Sequence, residues 1–540
     1  MAMKLKNFLG ELGAGGLMLI FICSGTIFKS WVLDNDAWFI LNCGRYVFEH
    51  GIPHTEFATI HEGLHYVMHQ WLTAVIFWKI YSGYGADALI AFCWLTGAAL
   101  MWLYYKLCLY VSGNQKISAI LAMIVSFIVI PLYVVTRPQI FSTLILLVEV
   151  FLLEKFFRER KIWALAVLPV LSALCVNLHA AMWAMTIIVL LPFLAESLWL
   201  WLKKNPAPVL PLILAALGIF LAGFLNPYGL EAMTYVFRSL DPYISGMVSE
   251  MYPPSAVNFL GKTFFIWAAL LIVAYSRKKM PVRYFLLSFG IMLMALQTYR
   301  SIFLFLILAT FPLAFAFKDW RPFDGNSRLS PKLFLPLFLI SALELWEVFD
   351  AQILEMRFPL KLFLGGAVFF LTCFVFFYRR DGNSILRRKL IVALAAVQGI
   401  IFSLAMYSEV PEKELNVYKP AIDFLLERNR AEDIILWTGY NSGGQFEFYG
   451  IKSYLDPRAE TFILANNRKR NIFHEYSELK RGGLDYKKFF ARYNFTHIFV
   501  TEEDMLVYQL LSHDENYRLL FEYDFPNDSK IHARIFEPVK

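Results

Sequence analysis

Apolar runs of membrane-crossing length recur along most of this chain, each broken by a short polar stretch. They cover residues 12–33, 86–110, 117–135, 139–157, 162–179, 181–202, 209–225, 262–276, 282–298, 300–317, 332–350, 360–378 and 388–408, which predicts about thirteen membrane helices. From about residue 409 the pattern changes. The tail is charged and has no run of span length. It reads as a helix at 421–429 with strands at 433–438, 452–455, 497–501, 517–523 and 531–536. The expected architecture is therefore a polytopic α-helical membrane domain over 1–408, followed by a soluble α/β domain over 409–540.

Composition agrees with that class. Of 540 residues, 58% are hydrophobic and 17% aromatic, and the mean hydropathy is +0.52. Cations mark one side of the membrane. Alternate loops carry Lys155, Arg158, Arg160 and Lys161, then Lys203 and Lys204, then Arg277, Lys278, Lys279 and Arg283. The same side continues with Lys318, Arg321, Arg328 and Lys332, then Arg379, Arg380, Arg387, Arg388 and Lys389. The intervening loops hold scattered cations such as Arg45, Arg137, Arg238, Arg300 and Arg357. The positive-inside bias puts the N-terminus in the cytoplasm, and the loop 34–70 and the tail outside it. The net charge of +7 is thus mostly anchoring charge, and nucleic-acid binding does not explain it. The opening residues Met1 to Lys6 read as a flank of the first span rather than a cleaved signal. None of the six cysteines lies in the tail, so an external domain here needs no disulfide.

Polar residues then collect on the outer face. The first outer loop contributes Asp34, Asp36, His54, Glu56, His61, Glu62, His65, His69 and Gln70. Arg137, Asn177, His179, Asn226, Tyr228, Asp241, Glu250 and Arg300 follow on later outer segments. Charges at a membrane boundary are costly unless they act on something. The chemistry they suit is sugar transfer from a lipid carrier. A polyprenyl-phosphate sugar keeps its tail in the bilayer and its sugar at the outer surface. A carboxylate there can serve as general base for an acceptor hydroxyl, and arginines can hold the departing phosphate. A single base fits an inverting displacement, whereas a close carboxylate pair with covalent catalysis fits a retaining one.

The same residues resemble a known family. Asp34-Asn35-Asp36, followed by His69-Gln70-Trp71-Leu72, is similar to the layout of the GT-C superfamily of integral-membrane glycosyltransferases, which includes protein O-mannosyltransferases and aminoarabinose transferases. A closer resemblance is to a bacterial branch with D-x-D-x-W-W-H-L, G-x-x-I-P-x-T-D and H-E-W-L patterns. Here these read Asp34 to Leu41, Gly51-Ile52-Pro53-His54-Thr55-Glu56 and the His69 motif. Downstream, Asn177-Leu178-His179-Ala180 resembles N-L-H-G, Asn226-Pro227-Tyr228-Gly229 resembles N-P-Y-G, and Glu250-Met251 resembles E-W. In the tail, Gly443-Gly444 and Asp456-Pro457-Arg458-Ala459-Glu460 resemble its G-G and D-x-R-x-E/D patterns. Departures are Phe39-Ile40 for Trp-His, Gln70 for Glu and Met251 for Trp. The resemblance implies a lipid-phosphate-sugar donor and an extracytoplasmic active site.

The expected roles follow. Asp36 is the base and Asp34 its helper, with both as ligands if a divalent cation such as Mg or Mn is used. His69, Gln70, Arg137, His179, Glu250 and Arg300 are expected to bind substrate or phosphate, with Arg137 and Arg300 as the phosphate clamp. Asp456 and Arg458 read as a structural pair in the tail. The expected partners are the lipid donor, a glycan, lipid or protein acceptor, and membrane lipids. Two other classes compete with transfer of a single sugar. One is a polysaccharide polymerase or ligase, and the other is a lipid or solute transporter. His61-Glu62-Gly63-Leu64-His65 also matches the H-E-x-x-H zinc motif, but that chemistry needs a helix and Gly63 at its centre argues against one.

Overall fold

The computed structural model describes residues 33–319, 417–524 and 532–539. The expected spans at 332–350, 360–378 and 388–408 lie outside the described residues, as does 12–33 apart from Leu33. Every expected span from 86–110 to 300–317 falls on helix. Among the described residues, five helical segments are long and apolar enough to cross a membrane: Trp71–Ser112, Trp163–Met182, Ala184–Leu202, Leu260–Arg277 and Tyr299–Ala316. Val209–Ala222 and Val282–Gln297 are apolar but shorter.

The chain forms two compact units. The first holds residues 97–133 and, from 253 onward, the membrane helices to 319. Its last described helix passes through a π-helical turn, Phe305–Ala309, which misaligns backbone carbonyls with their usual donors. Hydroxyl groups answer this in an apolar setting. Ser288 donates to the Ala309 carbonyl at 2.8 Å, and Tyr104 meets the Thr310 hydroxyl at 2.7 Å.

The second unit contains residues 33–96 and 134–252 together with the tail. We number its helices α1 (Asn35–His50), α2 (Trp71–Ser112, which continues into the first unit), α4 (Gln139–Glu159), α5 (Leu168–His179), α6 (Ala184–Leu202) and α7 (Val209–Ala222), where α3 is Gln115–Tyr133 of the first unit. Gly85, at φ +82°, interrupts α2 with a backbone conformation that side chains disfavour. α5, α6 and α7 are tied by Ser172, which donates to the Ile219 carbonyl at 2.7 Å and accepts from the Trp183 indole at 2.8 Å. On α7, Leu210, Ile213, Leu214, Leu217 and Leu221 are exposed, the apolar stripe expected where a helix faces lipid.

The tail has strands where its pattern predicts them, but it clusters in one compact unit with residues 33–96 and 134–252 rather than as a unit of its own. Five strands, β1 (Ile435–Trp437), β2 (Lys452–Ser453), β3 (His497–Val500), β4 (Tyr517–Asp524) and β5 (His532–Pro538), pair in the order β2-β1-β3-β5-β4. The β2, β1 and β3 strands run parallel, and β5 is antiparallel to both β3 and β4. The short helix after β1, Gly443–Phe448, packs on α1. Its Gly444 lies against Phe39, where an added Cβ would stand 3.0 Å from the Phe39 Cβ. The other contact of α1 is tighter. A Cβ on Gly44 would fall 2.0 Å from the Ala74 carbonyl oxygen of α2.

That contact is backbone against side chain, so no rotamer change relieves it. Gly44→Val should destabilise the fold by about 1–3 kcal/mol. The readout is a lower thermal midpoint of the detergent-solubilised protein, and an unchanged midpoint would refute this packing.

Candidate active site

Asp34 has the extended backbone of an N-cap and immediately precedes α1, but its side chain caps nothing. It reaches instead to Arg137, whose Nε donates to Asp34 Oδ2 at 2.5 Å and whose Nη2 lies 3.4 Å from Oδ1. Asp36, in the first turn of α1, places Oδ2 3.0 Å from the same Nε. Glu250, from the short turn Ser249–Met251, accepts from Arg137 Nη1 at 2.9 Å. Three carboxylates from two distant stretches thus converge on one guanidinium. Burial alone would lower the Arg137 pKa, but Asp36, Asp34 and Glu250 outweigh it and hold the guanidinium well above its ordinary value. The Asp34 backbone N–H also points at the Thr136 hydroxyl, 3.4 Å away.

A second polar group adjoins the start of α4. Ser142, in its first turn, meets His179 Nδ1 at 3.0 Å. The His179 ring lies 5.9 Å from that of His69, which stacks on Tyr235 at 4.4 Å. The His69 carbonyl accepts from the Ala180 N–H at 2.7 Å, which fixes the two histidines relative to each other. Gln70 is buried, and its side-chain oxygen has no hydrogen-bond partner. Arg300 sits exposed in the turn Tyr299–Ser301 of the first unit.

The tail reaches the acidic motif directly. Gln445 donates to the Asn35 side chain at 3.1 Å, between the two acids. Asp456 and Arg458 do form a buried pair, with Arg458 Nε 2.8 Å from Asp456 Oδ2. The pair extends beyond the tail. Arg458 Nη2 donates to Glu56 of the 51–70 loop at 3.0 Å, and Glu56 in turn accepts from the Ala58 and Thr59 amides. Glu447 lies 3.9 Å from the same nitrogen. Burial, then the Asp456 charge, pushes its carboxyl well above the usual range.

Other motif residues serve as fastenings. Asn177 accepts from the Trp71 indole at 2.9 Å and donates to the Leu225 carbonyl at 2.7 Å. Asn226 closes its own turn onto Gly223 and Gly229. The H-E-x-x-H stretch is not helical, and Gly63 has φ +65°. His61 is bound between the Tyr454 carbonyl and Arg470, each at 2.7 Å, and burial followed by the Arg470 charge lowers it to about 3. His65 pairs with Glu231 at 2.9 Å. Among the described residues no group of three histidine, cysteine or acidic side chains is arranged to hold a metal. Sequence reasoning did not single out Ser142, Glu231, Tyr235 or Gln445, and Glu447 likewise carries no motif signal.

No protein-family model and no curated relative matches the sequence. Solved structures do. The archaeal oligosaccharyltransferase AglB from Archaeoglobus fulgidus, in complex with an inhibitory peptide and a dolichol-phosphate, superimposes with TM-score 0.56 at 12% identity, over 96% of this chain and 74% of that one. The Archaeoglobus fulgidus oligosaccharyltransferase tethered to an acceptor peptide containing the NVT sequon gives 0.54 at 12% identity, over 98% and 74%. Its apo form gives 0.51 at 12%, over 91% and 70%. The chain has the fold of these oligosaccharyltransferase structures. Within that fold, the acidic motif opens α1 and the tail clamps it.

The clamp can be broken selectively. Arg458→Met removes the one cation among Glu56, Asp456 and Glu447, and should cost about 3–5 kcal/mol because it strands buried carboxylates. We expect early proteolysis of the 51–70 loop in this variant. Wild-type resistance in Arg458→Met would show that the loop is held by other contacts.

Proposed function

We propose that this protein is a membrane glycosyltransferase that moves a sugar from a polyprenyl-phosphate carrier to an acceptor outside the cytoplasmic membrane. The observation that carries the reading is the convergence of Asp34, Asp36 and Glu250 on Arg137 in a GT-C fold. About thirteen spans, a cytoplasmic N-terminus and an external tail complete the proposed topology. The neighbouring oligosaccharyltransferases, solved with a dolichol-phosphate and with an acceptor peptide, support a lipid-linked donor in general terms.

Asp36 is assigned as general base to the acceptor hydroxyl, with Asp34 fixing the guanidinium that orients it. Asp34 and Asp36 meet the same Arg137 nitrogen. Asp34 is thereby assigned to Arg137 and Asp36 alone to the acceptor hydroxyl, and a single base fits an inverting displacement. Because Arg137 already faces three carboxylates, His69 and His179 are assigned as donors to the substrate within this unit, and the phosphate role of Arg300 rests on its sequence position alone. The acidic oxygens are of the type that binds Mg or Mn. They do not fit such an ion as they stand, since Arg137 Nε occupies the space between Asp34 and Asp36 at 2.5 and 3.0 Å. Arg137 is therefore assigned as the resident cation of these carboxylates.

The first test is mass spectrometry of lipids that co-purify with the detergent-solubilised protein, wild type beside Asp36→Asn. A polyprenyl phosphate or its glycosylated form should be enriched in the variant, and ordinary phospholipid alone in both samples would favour a transporter. Once the donor is known, Asp36→Asn should lower turnover by about 10²–10⁴-fold, as expected for loss of a general base. Full transfer in Asp36→Asn with none in Asp34→Ala would exchange the two roles.

A second prediction concerns the cation. Transfer should persist in EDTA, and added Mg or Mn should change it less than about two-fold. Strict dependence on a divalent ion would mean that Arg137 leaves the carboxylates in the working enzyme.

A further inference from the structure

A cavity of about 200 Å³ lies between α1 and the tail, on the outer loop side of the acidic motif. Its polar lining is Asn42, Arg45, Glu49, Glu447 and Lys452, and Tyr46 and Phe57 form an aromatic wall with rings stacked at 3.7 Å. The polar groups are built in. Arg45 is held between the Trp78 and Phe448 rings and donates to Asn42 at 2.8 Å and to the Phe448 carbonyl at 3.0 Å. Glu447 is 3% exposed; one of its oxygens accepts from Ser453, and the other faces the Arg458 guanidinium at 3.9 Å.

Hydrogen-bonding groups of both signs around an aromatic wall, in a space for one small ring, match a sugar. A peptide would be expected to add to the edge of the sheet. That edge is taken, because Thr59 bridges Ser453 of β2 and the Ile60 N–H donates to the Ser453 carbonyl at 3.0 Å. The rim residues Glu49 and Lys452 are exposed to water, which suits an acceptor rather than a donor whose phosphate stays with its lipid. Along α1, Arg45 stands about 13 Å from Asp36 by helical rise.

We propose that this cavity is a subsite for a sugar unit of the acceptor, so that the acceptor is itself a glycan or glycolipid. The inference deepens the transferase reading and rests on it for the word acceptor. The cavity's affinity for sugar can be tested without that reading.

The experiment is saturation-transfer NMR on the detergent-solubilised full chain with methyl α-mannoside, N-acetylglucosamine and glucuronate, each at millimolar concentration. Wild type should show transfer to at least one sugar. The double variant Glu49→Gln/Lys452→Ala, which leaves the acidic motif untouched, should reduce it about ten-fold, as loss of charged hydrogen bonds predicts. Asp36→Asn should leave it unchanged. No signal with any of the three sugars, or an equal signal in the double variant, overturns the proposal. So does a signal from a blocked hexapeptide that the double variant abolishes, which would make this a peptide site. Sugar binding lost in the double variant, beside a failure to find any polyprenyl lipid, would sustain the cavity and remove the transferase reading instead.

Discussion

The candidate site depends on one guanidinium. Asp34, Asp36 and Glu250 carry like charges and would repel one another at these separations, in a setting half withdrawn from water. Arg137 makes their approach favourable by sharing its donors among them. Its planar fork can serve several carboxylates at fixed angles, which a lysine ammonium cannot do with the same geometry. The arrangement also fixes three chain segments at once, because Arg137 precedes α4, Glu250 lies in the turn Ser249–Met251, and the two aspartates open α1.

Geometry then passes from the tail to the acids through α1. Phe39 and Gly44 are five residues apart, which puts them about 140° apart around the helix. One side is pressed against Gly444 and the other against the Ala74 carbonyl. Glycine is needed at position 44 because no side chain fits against that carbonyl, and at 444 any larger residue would press on Phe39. With Gln445 bonded to Asn35 and Arg458 bonded to Glu56, the tail sets the position of the acidic motif and of the loop behind it. In physical terms the tail belongs to the scaffold of the candidate site.

Much of this was legible in the sequence, and the reasons are specific. Span-length apolar runs, the positions of the tail strands and the acidic pair all leave local signals of composition or period. The Asp456–Arg458 pair was legible because its partners are two residues apart. Its extension to Glu56 was not, since those residues are separated by hundreds of positions and no pattern links them. Arg137 was found as an outward cation and expected to hold phosphate. That its partners are carboxylates depends on how α1 and α4 meet, and no single stretch encodes it. His61 and His65 matched a zinc motif by spacing alone, but Gly63 gives the stretch a turn and each histidine finds a distant structural partner.

The start of α1 shows how a local rule yields to the site. An aspartate at an N-cap normally turns its carboxylate onto the first amides of its helix, a contact worth about 1 kcal/mol. Asp34 has the backbone of such a cap but gives its side chain to Arg137. Asp36, one residue into the helix, keeps an acid where the helix dipole favours negative charge. The helix therefore starts without its usual side-chain cap and is held by packing on both flanks instead. A local preference set aside at a charged cluster, with compensation elsewhere in the fold, is the pattern expected where chemistry rather than stability selected the residue.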